Sequence, residues 1–261
     1  MVDKVKETRK MKKVKTVVRA IRILESIGGR GDMGVSEISQ ELGFPKSSTF
    51  EVLSTLQAEG LVTKDPDRNT YRLGLKLFEL GNLAQDEIEI RDLASPLMKS
   101  LNQELDETVH LTILDDMEVL YIECFESTKR LRTYSVIGVR APLHCTAVGK
   151  AIMAHMDGEM VERIMRVKGL KRFTRNTITT REDLLADLRA TAERGYATDI
   201  MEHEDGLCCV GAPIRDHTGR VFASMSVSGP SQRVHAETIP RMAAAVMSRT
   251  KQISLLAGYR E

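Results

Sequence analysis

Apolar residues first recur at helical spacing over Val14, Val17, Val18, Ile21, Leu24 and Ile27, and Gly28-Gly29 is expected to stop that helix. Ser36 then stands where a cap would precede EISQEL, with Ile38 and Leu42 on one face. Gly43 breaks the run, and Pro45 suits the first position of a third helix. In that helix, KSSTFEVLSTLQAEG, the spacing turns Phe50, Leu53 and Leu56 toward a core, and Gly60 ends it. LVTKD and TYRL flank the turn residues Pro66-Asp67-Arg68-Asn69 and predict a β-hairpin. Two short helices across a Gly-containing turn, followed by a hairpin, make a winged helix-turn-helix whose second helix is shaped for the major groove.

Further along, GLKLFELGNL predicts a helix in which Leu73, Leu77 and Leu80 form a stripe for a partner helix. A second helix is expected from Arg91 to Glu107, kinked near Pro96. TVHLTIL and VLYIECF read as a hairpin turning at Asp115-Asp116. Helices are expected over 147–155 and 182–194, and then the strands CCVGAPI and FASMSVSG, joined by Asp216-His217-Thr218-Gly219. A last helix spans about 236–257. The fold class is α+β: a winged helix-turn-helix and an antiparallel sheet flanked by helices. The expected division is a basic tail over 1–13, the winged domain over 14–75, a linker helix over 76–90 and a second domain over 91–261.

Composition narrows the function. The 261 residues suit two domains, and aromatic residues at 4% with no Trp disfavour a base-stacking platform. No apolar stretch approaches the roughly 18 residues of a membrane helix, and the charged start lacks a secretory core, so a cytoplasmic protein without a membrane partner is expected. Four cysteines, two of them adjacent, are expected as reduced thiols. The net charge of +1 conceals an uneven distribution. Residues 1–30 hold ten Lys/Arg against three acids, residues 1–81 hold 15 against 11, and the remainder holds 23 against 26. A basic front on a slightly acidic body points to duplex DNA as partner. Lys46, Ser47, Ser48 and Thr49 open the recognition helix, where a cation and short hydroxyls reach phosphates and base edges. Arg68 at the wing tip and Arg19 in the basic front complete the expected DNA contacts.

In the second domain, Thr146 is placed to cap the helix AVGKAIMA, leaving the N–H groups of its first turn open to a carboxylate. Ser226 and Ser228 alternate with Val227, so both hydroxyls share one face of a strand. His110 on its alternating strand reads as a satisfied core or surface residue rather than a ligand. Neither His144-Cys145 nor His203 with Cys208-Cys209 has the paired spacing of a zinc site, and no Gly-rich phosphate loop occurs, so neither metal nor cofactor is expected.

The segment ELGFPKSSTFEVLSTLQAEGLVTKDPDRNTYRLGLKLFELG resembles the DNA-binding head of the IclR family of bacterial transcription regulators. ETVHLTIL, PLHCTAVGKAIMA, RFTRNTITTREDL, ERGYATDIMEHEDGLCCVGAPI and VFASMSVSGP continue the resemblance in order, into that family's effector domain. It implies a winged head joined by a linker helix to a GAF-like domain that binds a small metabolite, in a homodimer or homotetramer. It also implies an effector site in which Ala147 and Val148 match the family's loop, Asp199 its acidic residue, Leu207 and Cys209 its floor, and Ser226 and Ser228 its last strand. Asp199 is expected to meet a ligand hydroxyl rather than a carboxylate, to avoid opposing like charges. Where members often carry a basic residue in the recognition helix, this chain has Glu51 preceded by Phe50. The implied function is a non-enzymatic regulator, more a repressor than an activator, whose operator affinity responds to a small carboxylic acid. The alternative is a thiol-dependent redox enzyme using Cys145 or Cys209.

Overall fold

In the computed structural model the described residues are 13–86, 89–133 and 137–260, and the chain divides into two compact units between residues 87 and 88. That division falls inside the expected linker, and all of the basic tail except Lys13 lies outside the described residues.

The first unit is built from α1 (Lys15–Arg30), β1 (Met33–Gly34), α2 (Val35–Leu42), α3 (Lys46–Ala58), β2 (Val62–Asp65), β3 (Thr70–Leu73) and α4 (Leu75–Asp86). Ile23 and Ile27 of α1, Ile38 of α2, and Val52, Leu53 and Leu56 of α3 enclose one core, closed by Val62 and Tyr71 of the hairpin. Several local expectations are corrected. The first helix runs through Gly28 and Gly29 and stops at Gly31, whose φ of 85° suits the missing side chain. Gly34, not Ser36, caps α2, and the Glu37 carboxylate accepts its N–H at 2.6 Å. Pro45 sits one residue before α3. Leu73 closes β3 and so leaves the expected stripe of α4, where Leu75, Phe78 and Leu80 are exposed instead. The two-residue β1 adds a third strand, giving the order β1-β3-β2. At the hairpin tip, Asp65 Oδ1 accepts the N–H groups of Asp67 at 2.9 Å and Arg68 at 3.0 Å, which fixes the wing.

The second unit contains α5 (Glu89–Leu105), β4 (Thr108–Asp115), β5 (Glu118–Phe125), β6 (Arg140–Pro142), α6 (Ala147–Met153), α7 (Gly158–Lys168), α8 (Arg181–Arg194), β7 (Ala197–Ile200), β8 (Leu207–Arg215), β9 (Val221–Pro230) and α9 (Ile239–Leu256). Pro96 lies inside α5, and the helix continues through it. The expected hairpin turns one residue later, at Asp116 and Met117, both with positive φ. Among the described residues, six strands form an antiparallel sheet in the order β6-β5-β4-β9-β8-β7.

Alternation gives the central strands two unlike faces. Val109 and Leu111, Val210 and Ala212, and Met225 and Val227 join Met98 and Leu101 of α5 and Val246 and Ile253 of α9 in one apolar core. The intervening residues are small or polar, and α6 covers part of that face: Ser224 Oγ donates to the Val148 carbonyl at 2.9 Å. A Cβ at Gly211 would stand 2.9 Å from the Ala147 backbone, so this close approach of α6 to β8 depends on glycine. The other side of α6 packs with α7 and α8 through Ile152, Val161, Ile164, Leu184 and Leu188. Among the described residues, no helix is long and apolar enough to cross a membrane.

Candidate functional site

A cavity of about 230 Å³ opens between the polar face of the sheet and the start of α6. All eight residues expected at an effector site line it: Thr146, Ala147, Val148, Asp199, Leu207, Cys209, Ser226 and Ser228. The sheet brings the strand residues together, because Ser226 pairs with His110 and Gly211, and Ser228 pairs with Cys209. Thr146 caps α6 as expected: its Oγ1 accepts the Gly149 N–H at 3.1 Å and donates to the Pro142 carbonyl at 2.8 Å. A Cβ at Gly149 would lie 2.5 Å from Leu143 backbone atoms, so this turn also requires glycine. The N–H groups of Ala147 and Val148 belong to a first helical turn and have no acceptor within the helix.

The structure adds residues that sequence reasoning passed over. His110, expected to be a core or surface side chain and not a ligand contact, lines the cavity, with Nδ1 3.3 Å from Ser228 Oγ and its ring edge-on to Tyr121. Burial pushes the imidazole down to about 4, so it is neutral near pH 7. Tyr121, Arg140, His203 and Glu204 also line the cavity, and an ion pair with the Asp115 carboxylate holds Arg140. The Thr133 hydroxyl is buried in the wall and has no hydrogen-bond partner among the described residues. The alternating pattern of β4 marked His110 as facing one side of a sheet. Its pairing with the Ser226 strand is the part that no local pattern carries.

Asp199 lies almost wholly buried at the end of β7, and its Oδ1 accepts the N–H of Glu202 at 2.7 Å and of His203 at 3.4 Å. Burial pushes its carboxyl up to about 7, Glu202 adds to the rise, and the two N–H groups and Lys150 oppose it. Behind this loop, Lys150 is 1% exposed; its Nζ donates to Glu202 Oε1 at 2.6 Å and lies 2.9 Å from Asp187 Oδ2 on α8. One buried ammonium thus ties α6, α8 and the loop that holds Asp199.

In the first unit, Lys46, Ser47 and Arg68 border a groove with Phe50, Lys64 and Asn69. Ser48 is half-buried and donates to the Pro45 carbonyl at 3.0 Å. Thr49 is a correction: it is 1% exposed, its hydroxyl donates to the same carbonyl, and it packs inward instead of reaching DNA. Phe50 is the converse, 50% exposed where the spacing put it in the core. Arg19 is half-buried, with its guanidinium 5.3 Å over the Phe44 ring.

The family model described as "IclR helix-turn-helix domain" matches residues 16–66, and that described as "Bacterial transcriptional regulator IclR C-terminal" matches residues 83–255. The chain belongs to the IclR family of bacterial transcriptional regulators. The HTH-type transcriptional regulator KdgR of Escherichia coli is 36% identical over 248 residues, covering 95% of this chain and 94% of the relative. The transcriptional repressor IclR of E. coli is 31% identical over 248 residues, or 94% of this chain and 90% of that protein. Among solved structures, the IclR protein of Thermotoga maritima superposes with a TM-score of 0.79 at 32% identity, covering 94% of this chain and 99% of that one. IclR-family proteins are DNA-binding regulators and not enzymes, which overturns the thiol-enzyme alternative. The site agrees: Cys145 is buried and its thiol is pushed up to about 12, while burial and Asp199 drive Cys209 well above its ordinary value. A protonated thiol is a poor nucleophile.

Proposed function

We propose that this protein is a cytoplasmic repressor whose hold on operator DNA is set by a small carboxylic acid bound in the second unit. The observation that carries the reading is the cavity, whose volume of about 230 Å³ lies just below the range for drug-sized ligands and suits a smaller molecule. Its wall combines the serine hydroxyls, neutral His110, Tyr121 and the open N–H groups at Ala147 and Val148 with a carboxyl poised between its two charge states. A carboxylate suits the N–H groups and hydroxyls, and a hydroxyl or keto oxygen suits Asp199 and His110. The repressing sense follows the relative named a transcriptional repressor.

In this reading Lys46, Ser47, Ser48, Arg68 and Arg19 meet DNA, with Lys46 and Arg68 on phosphates. The winged domain ends near residue 75, and the segment over 76–90 links it to the effector domain at 91–261. A homodimer or homotetramer sets two recognition helices about one helical turn, or a multiple of it, apart on a palindromic operator. An acid alters operator affinity by binding the DNA-competent and incompetent states unequally.

A thermal-shift screen of small hydroxy- and keto-acids against the whole protein tests this. At least one acid is expected to raise Tm in proportion to the logarithm of its concentration and to change the midpoint of a gel-shift titration on the gene's own upstream region. If no acid moves Tm, the effector assignment falls. If an acid moves Tm and leaves the gel shift unchanged, the coupling falls.

A further inference from the structure

Phe50 is exposed on the recognition helix in a position that core packing does not explain. On α3 the buried residues are Thr49, Val52, Leu53 and Leu56, so helical periodicity sets Ser47, Phe50, Glu51 and Ser54 on the opposite stripe. Phe50 stays 50% exposed there and borders a groove of about 740 Å³ in which Lys46, Lys64 and Arg68 outnumber Glu37, whose carboxylate accepts the Gly34 N–H. An aromatic ring amid cations, on the helix of a DNA-binding head, meets a polyanion whose surface carries few apolar groups. In the major groove the apolar group on a base edge is the C5 methyl of thymine. The neighbouring carboxylate of Glu51 repels phosphates, so this part of the stripe suits base edges, and the backbone contacts fall to the flanking cations.

We infer that Phe50 is a specificity-determining residue that reads thymine in each operator half-site by packing on its methyl group. The residue thereby selects sequence while adding nothing to the salt-dependent grip on phosphates.

The test uses the full-length protein and the tightest duplex it selects from a random-sequence pool, with each thymine replaced in turn by deoxyuridine. One thymine per half-site is expected at which loss of the methyl weakens binding about fourfold, the equivalent of one buried methyl group. For Phe50→Ala the same replacement should change binding less than twofold, with the salt slope kept, and Phe50→Leu should restore part of the sensitivity. The inference is overturned if no thymine is methyl-sensitive, or if Phe50→Ala remains as sensitive as the native protein. It is also overturned if Phe50→Ala changes the oligomeric state by sedimentation, which assigns the ring to a contact between copies. Failure to select any duplex would sink DNA recognition as well, and that result differs from a duplex that is bound but indifferent to its methyl groups.

Discussion

Asp199 shows how burial, more than identity, sets what a side chain can do. With its carboxyl held near 7, it is largely neutral at pH 6 and largely charged at pH 8. Neutral, it donates a hydrogen bond to a keto oxygen of the ligand; charged, it accepts one from a ligand hydroxyl and repels a nearby carboxylate. Affinity for a small carboxylate is therefore expected to rise as pH falls from 8 to 6, and Asp199→Asn should flatten that slope in calorimetric titrations. His110, held near 4, remains neutral across this interval and does not supply the slope. An unchanged slope in Asp199→Asn would assign the titrating group elsewhere. The residue scale is also where sequence reading was least reliable. Thr49 and Phe50 exchanged places because a spacing of apolar letters does not settle which neighbour turns inward. A small hydroxyl that bonds the Pro45 carbonyl is buried at little cost, so the polar residue took the core position.

Elements depend on contacts that their own sequences do not contain. Lys150 sits on a helix of seven residues, and its partners Glu202 and Asp187 come from a loop and a helix distant in sequence. Lys150→Met should leave the buried Glu202 carboxylate without its cation, while the partly exposed Asp187 keeps Arg194 at 3.8 Å, and should destabilise the protein by about 3 kcal/mol in denaturant unfolding. Adding Glu202→Gln should recover part of that loss; a Lys150→Met protein as stable as the native one would show that the network is not buried in solution. The three-residue β6 and four-residue β7 escaped sequence reading because runs so short carry no measurable period, and β6 exists through its pairing with β5. The missed α7 did carry a signal: Asp157 caps it, with Oδ1 accepting the Met160 N–H at 2.7 Å, but Gly158 at the first position masks the helical pattern.

For the whole molecule, a near-zero net charge hides two units with different electrostatic tasks. DNA affinity should fall steeply between 50 and 200 mM salt, with a log–log slope of about −0.9 per phosphate contacted. Carboxylate affinity should change little over that interval, because a buried site is weakly screened. Equal salt sensitivity would place the acid on exposed cations and not in the cavity. The order of most elements, the Thr146 cap, the wing turn, the basic front and the serine alternation of β9 were legible along the chain, because each depends on neighbours within a few residues. Which face of each helix is buried, the meeting of His110 with Ser228, and the Lys150–Glu202 pair were decided by tertiary packing. Such contacts join groups far apart in the chain, and no local period encodes which of two faces will find the partner that removes it from water.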